Sequence, residues 1–341
     1  MRILIVKLSS FGDVIHAFPA LTDLKSARPE VEVDWLVEEA YAGLVRRHPG
    51  VSEVYPVALR RLRWPPWRWP GLLRHRAMLR RSLRARRYDL VLDVQGLMKS
   101  AILAKLAGAP VAGFDAATAR EPAAARLYEK QIPLGGHPHI VEQNRRFFAA
   151  AVGYSMPKGK GQAGLTPPPR LSERPYGLLA SGAAWPTKLW GEEEWRQLAE
   201  RLSAAGERVV LSWGTPDEHA RTVRIANGLP GIEPLPRRFS IDHLADLAAN
   251  ASFFVGLETG LSHLAAAFSV PGVTLFGPTD PEHARPYGGR QRTVRSDHPE
   301  APCQRVRCRR EASGRCCMDR IAVDAVWREV QAMLTEVVRS T

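Results

Sequence analysis

At 341 residues the chain is long enough for about two domains, and its 45 % hydrophobic content supplies a core for each. A net charge of +13 points to an anionic partner: nucleic acid, a membrane surface or a phosphorylated substrate. No uncharged apolar run reaches membrane-spanning or signal-peptide length, and all four cysteines lie between Cys303 and Cys317. A spanning helix is therefore excluded, and a reducing cytoplasm is the expected setting.

From the N-terminus, residues 3–8 form a short apolar run, read as a strand. It ends in Ser9-Ser10-Phe11-Gly12, and a helical pattern covers 13–25. Strand candidates follow at 31–37 and 88–94. Between them, 60–87 holds eleven arginines and no acid; without it the rest of the chain carries only +2 of the +13. This stretch interleaves Trp64, Trp67 and Trp69 with arginines. Pro65, Pro66 and Pro70 oppose helix at its start, and a basic amphipathic helix is expected from Leu72. Glycine, proline and lysine accumulate over 153–175, which marks a linker. The alternation then resumes, with strands at 176–180, 208–213, 253–257 and 273–276. Helices are expected at 192–205, after 257 through 268, and at 324–338.

Strands alternating with helices imply parallel sheets covered on both faces. The expected fold is α/β: two Rossmann-like domains facing a central cleft, with ligands beyond the carboxyl ends of the strands. The divisions read as a first domain over 1–160, a linker over 161–175 and a second domain over 176–320. A C-terminal helix over 321–341 is expected to pack back toward the first domain.

That rule directs attention to four loops. Asp13 closes the first, as a helix N-cap or as a general base; the loop lacks the G-x-G-x-x-G of dinucleotide binding. Glu258-Thr259-Gly260-Leu261-Ser262-His263 joins a strand to a helix whose first amides suit a diphosphate, although an ordinary capped turn has the same pattern. The loop over 181–190 carries Ala183, Ala184 and Lys188, a cation for a phosphate or a solvated lysine. In 276–281, Gly277, Pro278 and Pro281 fix a turn. The pattern Cys303-x4-Cys308-x7-Cys316-Cys317 departs from the paired short spacings of zinc sites, so reduced structural thiols are expected there, with zinc or a disulfide as the alternative.

The stretches KLSSFGDVIHAFPALTDLK (7–25), QGLMKSA (95–101), TAREP (118–122), ETGLSHLAAA (258–267) and GPTDP (277–281) together resemble the lipopolysaccharide heptosyltransferases, glycosyltransferase family 9. QGL-x-KSA and TAREP point to the first-acting type, and the resemblance runs from the first strand to about residue 288. It implies the GT-B fold and an inverting transfer of L-glycero-D-manno-heptose from ADP-heptose. The acceptor it implies is the inner 3-deoxy-octulosonic acid (Kdo) of Kdo2-lipid A, with no cofactor and no metal. Position by position, it implies Asp13 as base, Lys188 at the leaving diphosphate and Glu218 at the donor ribose. Ala183, Ala184, Glu258, Thr259, Gly260, Leu261 and His263 then line the donor site. Phe239, just before Ser240-Ile241-Asp242, packs on adenine. Ser10, Gly12, Arg60, Arg63, Lys99, Arg120 and His139 face the acceptor. The implied partners are that donor, that acceptor and the anionic cytoplasmic face of the inner membrane, with no nucleic acid. This chain has Glu258 where the family usually has Asp, and Ala183-Ala184 where hydroxyl residues occur. The segment after Pro302 is more like other heptosyltransferases than the first type. A heptosyltransferase for a later core position is therefore the alternative enzyme. A catalytically silent nucleotide-sugar- or core-binding protein is the alternative from another class, and Asp13 and Lys188 argue against it.

Overall fold

The computed structural model describes residues 1–59, 69–136, 139–170, 174–288, 290–308 and 317–338. The chain divides into two units, Met1–Thr166 and Pro167–Thr341. Each is built on one six-stranded, wholly parallel sheet, as the alternating pattern requires.

The first unit contains β1 (Arg2–Val6), β2 (Glu32–Glu38), β3 (Glu53–Val57), β4 (Leu90–Asp93), β5 (Val111–Phe114) and β6 (Lys130–Ile132), in the order β3-β2-β1-β4-β5-β6. The second contains β7 (Gly177–Ala180), β8 (Val209–Ser212), β9 (Ile232–Pro234), β10 (Phe253–Leu257), β11 (Gly272–Phe276) and β12 (Gln291–Arg295), in the order β12-β11-β10-β7-β8-β9. Counted from the start of each unit, the order is the same: three strands build one side, then the chain crosses over to build the other. At the crossover, neighbouring loops leave the sheet in opposite directions and open a crevice at its carboxyl edge. These switch points lie at β1/β4 and at β7/β10. The central strands are continuous apolar runs because helices cover both faces; Ile3, Leu4, Ile5 and Val6 are fully buried.

The helix expected over 13–25 is two helices, Phe11–Ile15 and Phe18–Ala27. Pro19 has no N–H to continue the ladder, so it enters the first turn of the second helix, where no N–H is needed. The basic helix spans Trp69–Ala85, with Pro70 in its first turn. The last helix, Val323–Val338, buries Val326, Val330 and Met333 in the core of the second unit. Its apolar stripe is thus covered within the second unit, which runs on past residue 320. Part of the glycine- and proline-rich stretch belongs to the first unit. Buried Arg145 donates to Asp23 Oδ2 (2.6 Å), Gly159 O (2.8 Å) and Pro157 O (3.0 Å), which straps this stretch down.

His48 gives the first unit a defined pH response. Its buried ring accepts from the Gly50 amide at Nδ1 (3.0 Å), so Nε2 carries the proton and donates to Thr22 Oγ1 (3.0 Å). Burial pushes its pKa down to about 4. The folded value lies below the unfolded value of about 6.5, so protons favour the unfolded chain. His48 stabilisation is complete above about pH 6.5 and is lost as pH falls toward 4, with a total near 3 kcal/mol. Urea unfolding at pH 7 and pH 4.5 should show that loss in the wild type and not in His48→Gln.

Candidate functional site

In the first unit, the loops after β1, β4 and β5 interlock at the carboxyl edge. Buried Asp93, at the end of β4, accepts from Tyr128 Oη (2.8 Å), Ser100 Oγ (2.9 Å) and the amides of Gln95 (2.9 Å) and Gly96 (3.3 Å). It thereby shapes the turn that aims Gln95, whose Oε1 accepts the amides of Leu8 (3.1 Å) and Ser9 (3.2 Å). Gly96 adopts φ +67°, and a Cβ there would stand 3.2 Å from the Arg120 amide. The missing side chain lets the TAREP turn close on the QGL turn, joined by Glu121 N to Gly96 O (2.9 Å) and Met98 N to Glu121 Oε2 (2.6 Å).

This frame brings Lys7, Asp13 and Arg120 together. Arg120 grips Asp13 with both guanidinium nitrogens, Nη2 to Oδ1 at 2.7 Å and Nη1 to Oδ2 at 3.2 Å. The Ser10 amide (3.0 Å) and hydroxyl (3.1 Å) also donate to Oδ2. Burial raises the Asp13 pKa, but Lys7, Arg120 and the Ser10 amide outweigh it and hold the carboxyl well below the usual range. Lys7, only 1 % exposed, donates to Val94 O at 2.7 Å; burial brings its ammonium down to about 8 against the opposing pull of Asp13. Lys99 is exposed on the first turn after this loop, and Ser10 and Gly12 lie beside Asp13. His139 instead caps the helix Ile140–Val152, where its Nδ1 accepts the Val141 amide (3.3 Å). At 5 % exposure it is occupied in holding that helix.

In the second unit, Glu258 directly follows β10 and collects three partners. Lys188 pairs with its carboxylate, His263 Nε2 lies 3.3 Å from Oε1, and Thr279 Oγ1 donates to Oε2 at 3.1 Å. Lys188 also donates to Glu258 O (3.1 Å) and sits over the Trp185 ring at 4.8 Å. Burial raises the Glu258 pKa, but His263 and Lys188 bring the net value below normal. The longer Glu side chain thus reaches two loops and the following helix at once. That helix, Gly260–Ala267, has Thr259 as N-cap; the Thr259 amide bonds Ser262 Oγ (3.2 Å), leaving the next amides to face outward. Glu218 opens the helix Pro216–Ala226 and takes the amides of Gly214 (2.7 Å) and Thr215 (3.2 Å) on Oε2. A Cβ on Gly182 would fall 2.5 Å from Glu218 Oε1, so that glycine brings the carboxylate against the 181–184 loop that carries Ala183 and Ala184. Phe239, half-buried on the loop after β9, faces His243 (5.7 Å between ring centres).

Arg60, Arg63, Trp64 and Trp67 lie outside the described residues, as does Cys316. Cys303 and Cys308 are free thiols, and Cys317 is buried in the second core. Lys7, Gln95, Asp93 and Thr279 were not singled out from the sequence. The signal for Lys7 was a lone charge continuing the apolar run Ile3-Leu4-Ile5-Val6.

The family model described as glycosyltransferase family 9 (heptosyltransferase) matches residues 76–313. Lipopolysaccharide heptosyltransferase 1 of Pseudomonas aeruginosa is 44 % identical over 315 residues, covering 90 % of this chain and 87 % of its own length. Among solved structures, E. coli heptosyltransferase WaaC with ADP superposes with a TM-score of 0.86 at 36 % identity, covering 98 % of this chain and 100 % of its own. The same enzyme with ADP-2-deoxy-2-fluoro heptose gives 0.82 at 36 % identity over 97 % and 99 %.

Proposed function

The chain belongs to glycosyltransferase family 9, the heptosyltransferases, and on that premise we propose that it transfers L-glycero-D-manno-heptose from ADP-heptose to the inner Kdo of Kdo2-lipid A. One observation carries the reading: the two switch points hold complementary chemistry. The first sets the Asp13 carboxylate among cations; the second sets Lys188 on the ordered carboxylate of Glu258, next in sequence to a helix that begins after Thr259.

In the proposed reaction an acceptor hydroxyl oxygen bonds to the anomeric carbon from the face opposite the diphosphate and yields its proton to Asp13. The carbon–oxygen bond to the phosphate breaks, and ADP leaves with the electron pair. A sugar hydroxyl is a weak nucleophile until a carboxylate takes its proton in the transition state. Charge growing on the diphosphate is stabilised by Lys188 and by the amides of Gly260 and Leu261, which require no reorganisation. Glu218 binds the ribose and Phe239 packs on adenine, with Ala183, Ala184 and His263 completing the donor side. Arg120, Lys99, Ser10 and Gly12, with Arg60 and Arg63, face the acid sugars of the acceptor, whose carboxylates match arginine forks. Incubating the protein with ADP-heptose and Kdo2-lipid A should add the mass of one heptose. Addition only to an acceptor that already carries heptose would instead assign a later core position.

The acceptor is lipid-anchored, and the helix Trp69–Ala85 suits that setting. No helix among the described residues is long and apolar enough to cross a membrane. That helix exposes Arg74, Arg76, Arg80, Arg81 and Arg84, with Met78 65 % exposed among them. Four of these arginines line a groove of about 450 Å³ with Ala77 and Leu106. Among the described residues none of the five forms an ion pair, so an anionic bilayer surface relieves their mutual repulsion. Each basic residue near such a surface contributes about 1 kcal/mol, so changing Arg80, Arg81 and Arg84 to Gln should weaken co-sedimentation with anionic liposomes by about 100-fold at low salt. ADP affinity should not change. Equal sedimentation of wild type and variant would remove this helix from the membrane contact.

A further inference from the structure

The Asp13 carboxylate needed as a base is ringed by donors in the free protein: Oδ1 takes Arg120, and Oδ2 takes Arg120, the Ser10 amide and the Ser10 hydroxyl. An oxygen surrounded by donors has little affinity for a further proton, so this arrangement holds a poor base. The clamp is also asymmetric. Asp13 is 15 % exposed and fixed at the start of its helix, whereas the Arg120 side chain is 46 % exposed. The Arg120 backbone is held by the close approach of Gly96 and the neighbouring Glu121–Gly96 hydrogen bond, so the guanidinium can turn without moving the turn that carries it.

We propose that Arg120 is a lock on Asp13, released when a carboxylate of the acceptor takes the guanidinium in its place. The proposal rests on the reading of Asp13 as the base. Its ligand class is an acid sugar whose carboxylate lies within reach of Arg120 while its hydroxyl meets Asp13. Planar guanidinium favours this exchange, because it pairs bidentately with either carboxylate. After the exchange Ser10 still orients Asp13 and buried Lys7 still faces it, with Asp93 acting on Lys7 from β4; only the Arg120 contribution changes. Arg120 is thus a positioning residue that couples acceptor identity to the basicity of Asp13. A neutral acceptor of the same shape would bind and leave the base clamped.

The test compares wild type, Arg120→Met and Arg120→Lys on Kdo2-lipid A and on the same acceptor with its sugar carboxylates methyl-esterified. The lock predicts that esterification lowers wild-type kcat by about tenfold or more, through the loss of the competent population. Arg120→Met should turn over both acceptors at nearly equal kcat, having no lock to release. Arg120→Lys, a point charge that cannot clamp two oxygens, should fall between. If esterification raises KM and leaves wild-type kcat unchanged, Arg120 only grips the acceptor and the lock is wrong. A second readout needs no turnover: the carboxyl 13C signal of Asp13, assigned by its absence in Asp13→Asn, is titrated in the free protein. Its midpoint should rise in Arg120→Met; an unmoved midpoint overturns the lock. Should Arg120→Met not fold by thermal melt, Arg120→Lys carries the same titration, with a smaller rise expected. A wild type that adds heptose to no Kdo-bearing acceptor would overturn the assigned reaction and still leave this titration decisive for the lock.

Discussion

Asp13→Ala is expected to lower kcat by about two to four orders of magnitude, the usual contribution of a positioned general base. ADP affinity should stay within about twofold, because Asp13 belongs to the first sheet and every donor-side group described here belongs to the second. Fold stability should fall modestly, mainly because buried Lys7 loses the carboxylate that opposes its burial. The carboxylate is paired with a half-exposed arginine, so losing the ion pair costs far less than its short distances suggest. Arg120 also keeps its backbone anchors when Asp13 is gone. Single-turnover assays with calorimetric ADP titration separate these effects. A folded Asp13→Ala protein retaining a tenth or more of wild-type kcat would remove Asp13 from the base role.

The second large effect is expected at Lys188. Lys188→Ala should weaken ADP binding about tenfold to a hundredfold, and kcat/KM should fall further, because the leaving diphosphate carries more charge in the transition state than in the bound donor. The substitution also leaves the largely buried Glu258 with one cation fewer. His263 and Thr279 remain on it, which limits the stability cost to part of that for a wholly uncompensated buried charge. The double variant Lys188→Ala, Glu258→Gln separates the two contributions. If ADP affinity returns with the neutral partner, Lys188 served mainly to balance Glu258. If affinity stays low, Lys188 contacts the diphosphate. Calorimetry on the three proteins decides between them.

The centres of both sheets were legible because their strands are unbroken apolar runs: residues 3–6, 90–92 and 253–257 could hardly be anything else in an alternating chain. The edges were not. β3 contains Pro56 and β9 ends in Pro234, β6 is the three-residue Lys130–Ile132, and β12 carries Arg292 and Arg295; strand propensity is weakest in such segments. In the site, Asp13 and the Glu258 loop were visible from position alone, since they follow strands and open helices. Their partners were not. Arg120 is 107 residues from Asp13 in sequence, and Lys188 is 70 from Glu258, so only the folded topology shows either pairing. The burial of Lys7 was hidden for a related reason: a lysine is ordinarily solvated, and this one is buried by the sheet that closes over it.

The same edge strands bear on how the chain avoids self-association. Parallel sheets form late, from contacts distant in sequence, and a half-made sheet offers its unpaired border to any neighbouring molecule. All four borders here are poor templates: proline removes donors at β3 and β9, β6 is too short to add a strand securely, and arginine puts like charge along β12. Among the described residues neither sheet therefore offers a long apolar border to a neighbouring growing chain, and the segments that blunt such pairing are the edge strands.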